Sequence, residues 1–394
     1  MIKKTAIIGC GQAGGNNVAT LLRSEELNKD SFVYTVINTT LNDVSELKDD
    51  DRCQLFIIGN TNGCGKDRKK SESILNAELK NKESKFLSTL VDRIYDCDVV
   101  IFTGAFGGGS GAGSMPILTY AVKREMVRRM KEEGTLENRN PVFLAIGILA
   151  SLSDDDVISL ANSIETTNDM FNKLKVPVIL YDNDSPNLKS NLSLVEKHNV
   201  INEAIALDCK ITRGDYCEVN SKYPQMDEKD HFKLYTTPGL MSISKISNLK
   251  NIDLDKENIN ELIVKSIKQN YTVQVDKDRV LGKIGLILNV TEDMLKKIDS
   301  SMTLVQEEFG KTAYIFRHIN IVDSEKDMSI ITILAGMSVP SSRLSELSDK
   351  IKEINNSKNS RKTDLAESLN ETNELFNETY DEFEEDEEND WGLN

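Results

Sequence analysis

Between Gly104 and Ser114 the chain reads GAFGGGSGAGS, six glycines in eleven residues, set after the apolar run 98-DVVIFTG-104 and before the helix-like stretch 116–132. Glycines in succession let backbone N–H groups approach an anion with no Cβ in the way, and the N-terminus of the following helix adds partial positive charge. The same order of strand, glycine turn and helix opens the chain. Lys4 to Gly9 is a short β-branched run, 9-GCGQAGGN-16 is the turn, and 16–27 carries Val18, Leu21 and Leu22 at helical spacing. Further strands are predicted at 32–38, 55–59, 141–148 and 177–181, with helices at 71–95, 155–173 and 192–209. Alternation of this kind predicts an α/β fold, a mostly parallel sheet with helices on both faces, whose ligands bind at the carboxyl ends of the strands.

Beyond the helix at 192–209 the grammar changes. Strands are predicted at 239–244, 271–275, 284–290, 313–322 and 328–336, with helices at 257–269 and 291–300, which reads as a smaller α/β second domain. The division expected is 1–190 for the nucleotide domain, 191–212 for a central helix, 213–340 for the second domain, 341–380 for C-terminal helices and 381–394 for an acidic tail. Of the net charge of −16, residues 363–394 contribute 13 Asp and Glu and no Lys or Arg, so the rest of the chain is nearly neutral. Such a tail repels a DNA backbone and attracts basic partners, which disfavours direct DNA binding. Trp391, the only tryptophan, lies within it. No run of about 18 apolar residues occurs and the N-terminus has no signal-peptide core, so a cytoplasmic protein without a membrane partner is expected. The six cysteines form no CxxC pair, which argues against a zinc site or a disulfide framework.

Two other phosphate-binding readings fail on detail. Gly9, Gly11 and Gly14 match the G-x-G-x-x-G dinucleotide pattern, but the strand that follows ends in Asn38 and not in the acid that would bind a ribose. The stretch 59-GNTNGCGKD-67 looks like a P-loop, yet position 60 is Asn where the motif needs glycine, and Asp67 after Lys66 cannot supply a hydroxyl to magnesium.

The segment 107-GGGSGAG-113 resembles the signature loop of the tubulin/FtsZ superfamily, with Ser110 in place of the usual threonine. The other motifs follow in the family's order, and the layout is most similar to its plasmid- and phage-encoded TubZ branch. The resemblance implies a GTP-binding, filament-forming GTPase that uses GTP/GDP and Mg²⁺, with the metal held on the phosphates. It implies nucleotide contacts from Gly11, Gln12, Ala13, Gly15 and Asn16 in the first loop and from Asn38 after the second strand. Gly65 and Lys66 would face the γ-phosphate, and Gly107, Gly108, Gly109, Ser110 and Gly111 would hold the phosphates. Asn183 would touch the nucleoside and Asn199 would read the guanine edge, although an asparagine alone does not exclude adenine. Asp155 falls where the family has a ribose-binding glutamate; its arginine partner is here Ser159, and 153-SDDD-156 reads equally as a helix N-cap.

In the family, acids on one subunit complete the site of the next. Asp227 and Asp230 match that pattern, with Asp208 and Asp215 as weaker competitors, and a carboxylate there would polarise the attacking water. The partners implied are further copies of the chain, head to tail, and a DNA-binding adaptor at the C-terminal region that would link the filament to plasmid or phage DNA.

Overall fold

The computed structural model describes residues 3–24, 32–59, 62–136, 139–154, 156–214, 222–247, 249, 259–274, 282–296, 298, 303–310 and 313–358. Asp155, Asp215 and the acidic stretch with Trp391 fall outside these, so the readings attached to them are not addressed by the structure.

The first half runs β1 (Thr5–Cys10), α1 (Gly11–Ser24), β2 (Phe32–Asn38), β3 (Cys53–Ile57), α2 (Arg68–Lys80), α3 (Phe86–Ile94), β4 (Val99–Ala105), α4 (Ser110–Glu132), β5 (Val142–Leu149), α5 (Val157–Asn168), β6 (Pro177–Asp182) and α6 (Leu194–Arg213). The second runs α7 (Glu228–Tyr235), β7 (Gly239–Ser247), α8 (Ile259–Lys268), β8 (Lys283–Val290), α9 (Glu292–Leu295), α10 (Thr303–Phe309), β9 (Tyr314–Ile321) and β10 (Ser329–Met337). A last helix, α11, covers 341–358.

Every residue of β1 and β5 is buried, as expected of parallel strands covered on both faces. Alternate residues feed two separate cores. Ala6 and Ile8 join Phe102, Leu118 and Val122 under α4, while Ile7 joins Val18, Leu21 and Ile205 under α1 and α6. The described strands make one sheet in the order β3-β2-β1-β4-β5-β6-β7-β10-β8-β9. Strands β1 to β6 pair in parallel, and β7 continues in parallel through Pro177↔Gly239, Val178↔Leu240 and Ile179↔Met241 before β10 turns antiparallel. Both cores cross this joint: one holds Val178, Leu240 and Leu288, the other Ile179, Met241 and Ile333.

Three expectations need correction. The strand predicted at 271–275 is, over its described residues, an irregular segment with one bridge, Tyr181↔Thr272. The helix predicted from 71 to 95 is two helices, because the chain turns at 81–85. The glycine segments are also shorter as loops than expected, since α1 begins at Gly11 and α4 at Ser110, so part of each glycine run is the first turn of a helix.

Candidate nucleotide-binding site

At the carboxyl ends of the parallel strands lies a cavity in two adjoining halves, of about 460 Å³ and about 420 Å³, with Gln12, Ala13, Lys66, Ala105 and Gly108 lining both. One half is enclosed by loops and helix N-termini. Gly109, Ser110 and Gly111 at the start of α4 face Asn62, Gly63 and Gly65, with Thr40 and Asp43 completing the wall. The free N–H groups of the first turns of α1 and α4 make this half suited to phosphate.

Two glycines are required for these loops to meet. Gly11 has φ 69°, and a Cβ on it would stand 2.8 Å from the Gly111 nitrogen. A Cβ on Gly109 would collide with the carbonyl of Gly65. Hydrogen bonds fix the same approach: Thr39 Oγ1 and Ser110 Oγ are 2.8 Å apart, and Ser71 Oγ donates to the Ser110 carbonyl at 3.2 Å. From α5, Asn162 Nδ2 donates to the carbonyls of Lys66 at 2.9 Å and Gly108 at 3.2 Å, tying the two phosphate-side loops together.

The other half is lined by Leu149 and Ala150 after β5, Asn183 after β6, and His198, Ile201 and Asn202 on α6. Asn183 is held by donation from Nδ2 to the Leu149 carbonyl at 2.9 Å. The apolar lining with a few polar tips fits a base and its sugar.

Of the residues singled out from the sequence, Gln12, Ala13, Asn16, Gly65, Lys66, Gly107, Gly108, Gly109, Ser110, Gly111 and Asn183 line the cavity. Gly11 and Gly15 do not line it; they permit close packing, Gly15 against Val44. Asn38 is buried behind the wall, accepting from Thr39 N at 2.7 Å and donating to Asp43 Oδ2 at 3.4 Å. Asn199 is exposed on the outer face of α6 and does not line the cavity. Three residues later the same helix presents Asn202, 9% exposed, and one turn before it the ring of His198. These two, with Asn162 and Asp43, are the residues the sequence reading missed.

Lys66 is paired with Asp156, which also caps α5 by accepting from Ile158 N at 3.0 Å and Ser159 Oγ at 2.7 Å. Burial raises the Asp156 carboxyl, but these bonds outweigh it and hold the group below its ordinary range. Asp67 caps α2 by accepting from Lys70 N at 2.9 Å, a structural use that agrees with rejecting the P-loop reading. Among the described residues no group of three His, Cys, Asp or Glu could hold a metal ion. The donor set at the phosphate half, one carboxylate (Asp43) with hydroxyls at Thr40 and Ser110, fits a Mg²⁺ carried mainly by phosphate oxygens and water.

Asp227 and Asp230 line neither half of this chain's own cavity. Asp227 caps α7 by accepting from Asp230 N at 2.8 Å, so the helix-cap role is present. The segment before it is pinned to β9: Met226 N donates to His318 Nδ1 at 3.1 Å and Gln225 Nε2 to the Ile319 carbonyl at 2.8 Å. The competitor Asp208 is buried, 4% exposed, under the Tyr181 hydroxyl, which donates to it at 2.7 Å.

Comparison with known proteins bears on the first half of the chain. Residues 4–187 match the profile described as "Tubulin/FtsZ family, GTPase domain". Over those residues, just under half of the chain, it is similar to a tubulin/FtsZ-family GTPase domain. Outside that domain the likeness continues more faintly. The tubulin-like protein TubZ of Clostridium botulinum C phage is 25% identical over 276 residues, 68% of this chain and 65% of that protein. The matched stretch therefore spans just under two thirds of that relative. The crystal structure of Clostridium botulinum phage c-st TubZ superposes with a TM-score of 0.66 at 21% identity, covering 91% of this chain and all of that one. A GTPγS-bound protofilament of CetZ2 from Haloferax volcanii gives 0.68 at 17% identity, over 89% of this chain and 99% of that one. At such identities the structures share a fold with this chain, the tubulin/FtsZ fold, around the GTPase domain.

Proposed function

We propose that this chain binds GTP in the two-part cavity, assembles head to tail, and hydrolyses GTP where one subunit meets the next. The observation that carries the reading is the separation of parts: the phosphate-side loops converge in one half of the molecule, while Asp227, which caps α7, and Asp230 in its first turn line no part of that cavity. A site built in two places is completed only by a second copy. The CetZ2 structure just described is a protofilament with a GTP analogue bound, which supports the reading.

In this reading the Gly107–Gly111 loop and the starts of α1 and α4 hold the phosphates through backbone N–H groups. Asn183 and Asn202 fix the nucleoside. Asp43 and the Ser110 hydroxyl would face a Mg²⁺, which when bound neutralises charge on the phosphates. Asp230 or Asp227 of a neighbouring subunit orients and polarises the attacking water. Segregation of plasmid or phage DNA through a DNA-binding adaptor at the C-terminal region, in the cytoplasm, extends this reading and rests on the resemblance to the TubZ branch and on the acidic stretch after 363. No described helix is long and apolar enough to cross a membrane.

The test is sedimentation with phosphate release. GTP with Mg²⁺ should yield pelletable filaments and turnover, GDP neither, and Asp230→Ala should bind GTP but leave persistent polymers. A protein that binds GTPγS and stays monomeric at high concentration would overturn the assembly reading.

A further inference from the structure

Asn183, the polar group that β6 sends to the nucleoside half, stands between two carboxylates, Asp182 and Asp184. One cation from the far end of the chain holds both. Arg343 Nη2, on α11, donates to Asp182 Oδ1 at 2.9 Å and to Asp184 Oδ2 at 2.7 Å. Asp184 also accepts from Ser151 Oγ and from Leu152 N, the latter at 2.7 Å, so the segment after β5 hangs on the same cluster. Asn183 in turn donates to the Leu149 carbonyl. Leu149, Ala150 and Asn183, three walls of the nucleoside half, are thus registered against each other through one guanidinium.

The cluster is a built one. Arg343 is 8% exposed and Asp182 7%. Burial raises the Asp182 carboxyl above its ordinary value in spite of the arginine, whereas the bonds to Asp184 hold that group below its own against the same burial. The phosphate half is held by different residues, Asn162, Thr39 and Ser71.

We propose that Arg343 is a positioning residue for the nucleoside, and that α11 is thereby part of the nucleotide site, setting affinity for the base and sugar without acting on the phosphates. This rests on the nucleotide reading of the cavity. One terminal guanidinium nitrogen carries two hydrogens and satisfies both acids at once from a planar, fixed fork; a lysine is a point charge on a flexible stem and holds that geometry less well. Without the cation two carboxylates flank Asn183 in a half-dry turn, where like charges repel until one takes up a proton or the turn opens. Either response shifts Asn183 and the 149–152 segment.

The experiment compares wild type, Arg343→Lys, Arg343→Met and Arg343→Met/Asp184→Asn, measuring Kd for GTP and for GDP, turnover at saturating GTP, and Tm. Arg343→Met should raise both Kd values together by roughly tenfold, about 1.4 kcal/mol, and leave saturated turnover within about twofold. Arg343→Lys should fall between, and the double variant should regain part of the affinity because the repulsion is gone. A role in the fold alone would lower Tm and leave the Kd of the folded fraction unchanged, and that result overturns the proposal. Should Arg343→Met not fold, Arg343→Lys and Asp184→Asn make the same comparison: a loss in both Kd values supports the proposal, and unchanged Kd overturns it. Wild type that binds neither nucleotide sinks the reading of the cavity, and this inference with it; wild type that binds alongside a variant of equal Kd sinks this inference alone.

Discussion

On α6, Asn199 and Asn202 differ by three positions and by everything that matters to a ligand. The buried stripe Ile201, Ile205, Cys209 fixes the rotation of the helix, and that rotation carries Asn202 to the cavity wall and Asn199 to solvent. On the proposed reading, Asn202→Ala should therefore weaken GTP binding by about 1–2 kcal/mol, roughly five- to thirtyfold in Kd, since it would leave the base edge unpaired. Asn199→Ala should leave Kd unchanged. Titration with a fluorescent guanine nucleotide separates the two, and equal losses would put the base elsewhere. The pattern His198-x-x-Ile201-Asn202 is visible in the sequence, and the phase of the apolar stripe puts Asn202, not Asn199, on the buried side. Asn162 gave no such signal, because an amide that clamps two carbonyls depends on loops meeting from positions 66 and 108.

At the scale of elements, strands were the most legible part because parallel strands covered on both faces are continuous apolar runs, as β4 and β5 are. Helix starts were less so: propensity argues against glycine in a helix, yet Gly11, Gly14 and Gly15 lie in α1 because tertiary packing needs their bare backbone. The run at 271–275 has strand composition, but beside the end of β6 it makes only the bridge Tyr181↔Thr272. The central helix also carries a charge whose effect can be measured. Burial pushes the Asp208 carboxyl up to about 7 from an ordinary 3.8, with the Tyr181 hydroxyl bond pulling it partly back. The folded state keeps this proton where the unfolded chain has lost it, so the contribution favours folding at low pH and is lost as pH rises from about 4 through about 7. Asp208→Asn keeps an oxygen for the tyrosine and removes the ionisation, so its stability relative to wild type should be greater at pH 8 than at pH 5 by about 1–3 kcal/mol. Thermal melts at the two pH values check this, and a difference that does not change with pH would show that the carboxyl ionises freely.

For the whole molecule, the parallel pairing of β6 with β7 and the two cores that run past it bind the halves into one hydrogen-bonded layer. Residues 1–190 alone would leave β6 as an open edge and strip Leu240 and Met241 from the cores beside Val178 and Ile179. We expect that fragment to be insoluble or molten, and the full chain to melt in one calorimetric transition; two well-separated transitions would show that the halves fold independently. A sheet of this breadth is stiff to shear and soft to torsion. From β3 to β9 there are nine junctions, each spanning about 4.8 Å, so the far edge is roughly 43 Å away. Strands sit about 20–25° apart at each junction, and a change of only ~2° in each adds up to ~18° across the sheet without breaking a single hydrogen bond. If the proposed nucleotide site tightens around one more phosphate near β1 and β4, a twist of that size would turn the β9 edge and swing a subunit held there.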